Sequence, residues 1–115
     1  MNFETTNHDG KLLVTLQESR LDAALAVRFK SALKELVDDG TEHMILDMSQ
    51  VDFMDSSGLG AVVAHMKYMG ADKTFEICGL TPTVDKVFKL TRMDSVFSIA
   101  VDAASALASD QDMAG

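Results

Sequence analysis

The chain has 115 residues, 47% hydrophobic and 24% charged, a size and balance that suit one globular domain (1–115) whose core needs neither metal nor disulfides. Its one cysteine, Cys78, excludes an internal disulfide framework and fits a reducing compartment. The net charge of −8, with ten scattered Lys and Arg, argues against a nucleic-acid partner and weakly favours a basic protein.

Residues 2–6 and 11–17 read as two strands around Asn7-His8-Asp9-Gly10, because Asp-Gly is a strong hairpin signal. Leu12, Val14 and Leu16 alternate with Leu13 and Thr15, so the second strand has a well-buried face. A polar break over 17–20 comes next. Leu21-Asp22 then opens a helix whose stripe of Leu25, Phe29, Ala32, Leu33, Leu36 and Val37 recurs at helical spacing. Asp22 suits its N-cap or first turn, and Asp38-Asp39-Gly40 supplies the stop.

The apolar run over 43–48 reads as a buried central strand, and 49–55 as a short loop. A helix is expected over 56–69 with Gly70 as its stop, then a strand over 73–78. Thr81-Pro82 marks the next helix start, Thr as N-cap and Pro at the first helical position. That helix turns Val84, Val87, Phe88 and Leu90 inward and ends near Arg92. A short strand over 96–99, an alanine-rich helix over 102–108 and a frayed tail over 109–115 complete the chain. The order is β-β-α-β-α-β-α-β-α. It implies an α/β fold with a mixed sheet of about five strands, an N-terminal antiparallel hairpin and a largely parallel remainder, packed with about four helices.

Few residues carry enzyme chemistry. Gly58-Leu59-Gly60 is too short for a phosphate loop and lacks its lysine. His8, His43 and His65 have no metal-ligand spacing and read as solvated or packing residues; no metal or other cofactor is expected. Cys78 reads as a buried structural thiol, and Ser56 and Ser57 lack the elbow motif of serine hydrolases. Asp47, Asp52 and Asp55 match neither a calcium loop nor a phosphoaccepting aspartate pair, and so read as loop solvation and helix capping. No apolar run approaches the roughly 18 residues of a membrane span, and no basic-then-apolar leader opens the chain, so a cytoplasmic, non-enzymatic protein is expected.

The stretch Asp55-Ser56-Ser57 lies where a strand hands over to a helix, beside unpaired N–H groups and the positive end of a helix dipole. Asp55 or Ser56 can cap that helix, worth about 1 kcal/mol. A cap does not account for the composition of the helix itself. From Ser56 to Met66 it carries no formal charge and holds Gly58, Gly60, Ala61 and Ala64. Val62, Val63 and Met66 can face the sheet, which leaves the small residues and an exposed Met54 partly outward as a docking surface.

At these residues the chain resembles a known family. Phe53-Met54-Asp55-Ser56-Ser57-Gly58-Leu59-Gly60, directly after Ile45-Leu46-Asp47-Met48-Ser49, is similar to the signature of STAS domains, specifically the stand-alone anti-sigma-factor antagonists of bacteria. Leu21-Asp22-Ala23, and Gly79-Leu80-Thr81-Pro82-Thr83-Val84 with Phe88-Lys89-Leu90-Thr91, extend the likeness over nearly the whole chain. Ser19 departs from the family's usual glycine before the Leu-Asp pair, which bears on the partner more than on the fold. The resemblance implies partner switching. The unphosphorylated form binds a histidine-kinase-like serine kinase that is also an anti-sigma factor, which frees the sigma factor. Phosphorylation of Ser56, with Ser57 as second choice, blocks that complex, and a PP2C-type phosphatase restores it. The implied partner surface is Asp22, Met54, Asp55, Ser56, Ser57, Gly58, Leu59, Gly60 and Ala61. Two alternatives stand beside it: a constitutive, unphosphorylated STAS subunit of a transporter or other complex, and an anion- or nucleotide-binding module using the helix N-terminus.

Overall fold

Strands β1 (Phe3–His8) and β2 (Lys11–Leu16) pair antiparallel from Phe3 with Leu16 to His8 with Lys11 in the computed structural model, which describes residues 1–108. The tail expected over 109–115 lies outside the described residues. The turn is tighter than expected: only Asp9 and Gly10 remain between the strands, at φ 53° and 88°. Two successive positive φ values give the turn whose twist matches that of the strands, and Asp-Gly is the pair that tolerates them.

Helix α1 (Ala23–Asp38) buries Ala26, Phe29, Leu33 and Val37, with Leu25, Ala32 and Leu36 packed alongside. It carries the chain across to β4 (His43–Asp47), which pairs parallel with β2. Helix α2 (Ser56–Met69) leads to β6 (Thr74–Cys78) beside β4, and α3 (Pro82–Leu90) leads to β7 (Ser98–Ala100) beside β6. The sheet order is therefore β1-β2-β4-β6-β7. Crossovers of one hand that step one way across a sheet put their helices on one face. That face holds the main core, in which Val14, Leu16, Met44, Leu46 and Ile77 meet Phe29, Leu33, Val62, Val84 and Phe88. Helix α4 (Ala103–Ala108) covers part of the other face, setting Ala106 against Ile45 and Cys78.

The expected mixed sheet with its antiparallel N-terminal hairpin is the observed architecture. Three local readings are corrected. Leu90 is 78% exposed, because it stands about 200° round α3 from Phe88. The last strand begins at Ser98 rather than Val96; a 3-10 turn (Met93–Ser95) precedes it, and Phe97 buries its ring edge-on to Phe75 and Phe88. The polar break over 17–20 and the loop over 49–55 also contain a second, two-stranded parallel sheet. In it β3 (Arg20–Leu21) pairs with β5 (Phe53–Met54).

Candidate functional site

The small β3–β5 sheet places two helix starts side by side. Leu21 pairs with Met54, Asp22 follows Leu21 into α1, and Asp55 follows Met54 into α2. Both aspartates have extended backbones and act as N-caps, the conformation and residue type that the first unpaired N–H groups of a helix favour. Asp22 Oδ1 accepts from the N–H groups of Ala24 and Leu25 at 3.1 and 3.3 Å, and Asp22 Oδ2 accepts from Arg20 Nε at 3.3 Å. Asp55 Oδ1 accepts from the Gly58 N–H at 2.9 Å. The choice between Asp55 and Ser56 as cap thus falls on Asp55. Ser56 and Ser57 form the exposed first turn of α2, and no hydrogen bond to the described residues holds either hydroxyl.

The two helix starts meet at Gly58, which is buried against β3. A Cβ on Gly58 would lie 2.0 Å from the Leu21 carbonyl oxygen, so this approach admits only glycine. Gly60 faces open space, with nothing within 4 Å of the corresponding position. Of the residues expected to form a partner surface, Ser56, Ser57 and Gly60 are exposed, and Asp22, Asp55 and Leu59 are half-buried. Met54, Gly58 and Ala61 are buried, which corrects the expectation that Met54 and the small residues lie partly outward; of the four small residues only Gly60, exposed, and Ala64, half-buried, do so. Met54 is only 3% exposed because β5 alternates the opposite way, turning Phe53 out at 38%. Val63 and Met66, expected to face the sheet, are each half-buried.

Phe53 and Arg20 are the residues that sequence reasoning missed. The Arg20 guanidinium lies 4.5 Å from the Phe53 ring centroid, so this aromatic is presented under a cation beside the capped helix starts. Met54 was expected outward in place of Phe53, and a strand of two residues is too short for its alternation to have corrected that. Backbone bonds fix the loop that carries them: the N–H groups of Asp52 and Phe53 both donate to the Ser19 carbonyl, at 2.8 and 3.1 Å. Ser19, the departure from the family pattern, therefore enters through its backbone. Thr81 occupies the N-cap position of α3 as expected, but its hydroxyl donates to the Val51 carbonyl at 2.8 Å instead of capping.

The other reactive residue types lie elsewhere. Cys78 is fully buried, and burial, with Asp47, Asp102 and Glu76 adding to it, pushes its thiol up to about 12, as a structural thiol requires. His8 is exposed, whereas His43 Nε2 lies 3.3 Å from Glu76 Oε2 but off the hydrogen-bonding direction. His65 packs edge-on to Phe29 and Phe75. Asp47 Oδ1 accepts from the Ser49 N–H at 2.9 Å, and Asp52 is exposed. Among the described residues, no group of three or more His, Cys, Asp or Glu is placed to hold a metal ion. No described helix is long and apolar enough to cross a membrane.

An anti-sigma-B factor antagonist from Staphylococcus aureus is 27% identical over 100 residues, covering 86% of this chain and 92% of that protein. A solved anti-sigma factor antagonist from Mycobacterium paratuberculosis superposes with a TM-score of 0.84 at 24% identity, covering 93% of this chain and 91% of that one. The anti-sigma factor antagonist SpoIIAA in its unphosphorylated form superposes at 0.73 with 21% identity over 91% of this chain and 93% of that one. The Bacillus cell fate determinant SpoIIAA in its phosphorylated form does so at 0.66 with 20% identity, over 91% and 96%. The sequence profile of the STAS domain matches residues 2–106, and this chain, with the mixed sheet and paired helix starts described above, belongs to the STAS domain family.

Proposed function

We propose that this protein is a regulatory docking protein of the anti-sigma-factor-antagonist kind, gated by phosphorylation of Ser56. One observation carries the reading. Asp55 takes the cap, which leaves the Ser56 hydroxyl exposed and without a hydrogen-bonded partner among the described residues, on a helix start whose first turn holds no acid. A kinase can reach that oxygen, transfer the γ-phosphoryl group of ATP to it and release ADP, without breaking a bond that holds the fold.

The phosphate adds a charge of about −1.5 to −2. The α2 dipole favours it there by about 0.3 to 2 kcal/mol, so the fold is retained. A partner seated on Phe53, Ser56, Ser57 and Gly60 would have to desolvate that charge, and a loss of about 3 kcal/mol weakens binding more than a hundredfold. A relative whose unphosphorylated and phosphorylated forms both superpose on this chain supports a switch that acts on docking rather than on folding. The partners of this reading are a histidine-kinase-like serine kinase that is also an anti-sigma factor, and a PP2C-type phosphatase that resets the switch in the cytoplasm.

Intact-mass measurement with peptide mapping, on protein from its native cell before and after phosphatase treatment, tests the proposal. A single phosphate on Ser56 is expected. Ser56→Ala protein should then capture the kinase, and Ser56→Asp protein should capture it at least about a hundredfold more weakly. A phosphate on Ser57 would move the site by one residue. Absence of phosphate under every growth condition, with equal capture by both variants, would sink the switch and leave a constitutive subunit.

A further inference from the structure

Among the described residues the main sheet ends in two edges, β1 and β7, that differ in kind. Strand β7 has three residues, short enough to blunt its edge. Strand β1 has six, and its ladder with β2 runs unbroken from Phe3 to His8, without bulge, proline or lysine. All of it but Phe3 is exposed. The bonding to β2 fixes which backbone groups are spent. The Gln17 N–H donates to the Asn2 carbonyl at 2.9 Å, so the bonded pairs are Asn2–Gln17 and every second pair after it: Glu4–Thr15, Thr6–Leu13 and His8–Lys11. Phe3, Thr5 and Asn7 therefore turn their N–H and C=O groups away from β2, toward an edge that no described strand covers.

The side chains on this edge form a self-complementary set. Glu4, Thr6 and His8 alternate onto one face, and the Thr6 hydroxyl lies 2.9 Å from His8 Nε2, which steadies the ring there. An added antiparallel strand must bond through the outward groups, so only alternate registers are open to a second copy of β1. One of them sets Glu4 against Glu4 and is opposed by like charge. The register with Thr6 opposite Thr6 pairs Thr5 of each copy with Asn7 of the other through the backbone. It also places Glu4 of each copy directly opposite His8 of the other, with Lys11 next in the same row. On the other face it carries Asp9 of the second copy to the level of Phe3. There the exposed Arg28 shares a groove with Met1 and Phe3, so a second acid meets a base.

We propose that the exposed edge of β1 is a self-association surface. A second copy of this chain adds its β1 antiparallel about a two-fold axis at Thr6, joining the two five-stranded sheets into one. The net charge of −8 on each copy opposes approach, so the dimer is weak, with a Kd on the order of 0.1 mM.

The test uses the full chain, with neither kinase nor phosphate present. Sedimentation equilibrium from about 10 μM to 1 mM should show a monomer–dimer equilibrium, and amide resonances of Thr5 and Asn7 should shift over the same range. Thr6→Lys, at an exposed position, sets two ammonium groups face to face and should raise the Kd more than about tenfold. Glu4→Lys should raise it about fivefold, and adding His8→Glu should restore it. Thr6→Cys should give a disulfide-linked dimer on mild oxidation, because directly opposed, non-bonded pairs lie within disulfide reach. Cys78 is fully buried, so the unsubstituted chain should not cross-link. A monomer at every concentration would overturn the proposal and leave the edge to a strand of another protein. Unchanged association in Thr6→Lys would overturn it too, as would cross-linking of Thr5→Cys in place of Thr6→Cys, which would set a different register.

Discussion

Gly58 and Gly60 differ by two positions in α2, and one added methyl group would act on them in opposite ways. At Gly58 the methyl carbon would meet the Leu21 carbonyl oxygen at 2.0 Å, backbone against backbone, with no flexible side chain to yield. Gly58→Ala is therefore expected to destabilise the fold by about 3 kcal/mol, at the upper end of what overpacking does, measured as a lower midpoint in urea unfolding. At Gly60 nothing lies within 4 Å, so Gly60→Ala should gain about 1 kcal/mol of helix stability. If the exposed face of α2 is the docking surface, that more stable variant should nonetheless bind the kinase partner more weakly. A Gly60→Ala protein with stronger folding and unchanged binding would remove this face from the interface. Both glycines were legible as a small-residue helix start; which of them faces solvent was not. That depends on β3, whose backbone fills the space a side chain at position 58 would need.

At the scale of elements, legibility followed length. The α1 stripe over 16 residues, the β4 run and the Asp9-Gly10 turn each repeat or punctuate a pattern strongly enough to be read locally. Strands β3 and β5 have two residues each, too few for alternation to register, and their pairing joins segments some thirty residues apart. This is why Met54 was turned outward in place of Phe53, and why Arg20 above Phe53 carried no signal. The short sheet is held from outside. The Thr81 hydroxyl bonds the Val51 carbonyl at 2.8 Å, tethering the start of α3 to the segment that leads into β5. Thr81→Val keeps the shape and removes the donor, leaving a buried carbonyl unpaired, and should lower stability by about 1 kcal/mol. Amide exchange should also quicken at Asp52 and Phe53, whose N–H groups share the Ser19 carbonyl, before it changes in β4 or β6. Uniform quickening throughout the sheet would mean that Thr81 supports the whole fold and not the platform beside Ser56.

For the whole molecule, acid is the informative perturbation. His65 is 2% exposed, wedged between Phe29 and Phe75, and desolvation there lowers its pKa from 6.5 to about 4. Above pH 6.5 the ring is neutral in the folded and unfolded chains alike and imposes no penalty. As pH falls from 6.5 toward 4, the unfolded chain binds a proton that the folded chain excludes, so stability falls with pH over that window. Below about 4 the folded ring also protonates and the loss levels off. The interval corresponds to about 3 kcal/mol, a large share of the stability of a domain of this size. Asp38 and Asp102, exposed carboxyls whose pKa values are lowered chiefly by the Lys34 bond and by the Ser105 backbone N–H, add to acid sensitivity only at lower pH, where carboxylates protonate. Urea unfolding of the native chain is therefore expected to show a stability decline that begins near pH 6.5. His65→Leu, which keeps the site apolar and of similar volume, should show its decline beginning only in the carboxylate range. Parallel declines in the two proteins would mean that His65 is hydrated or protonated in the folded state, and that the Phe29–His65–Phe75 stack does not exclude water.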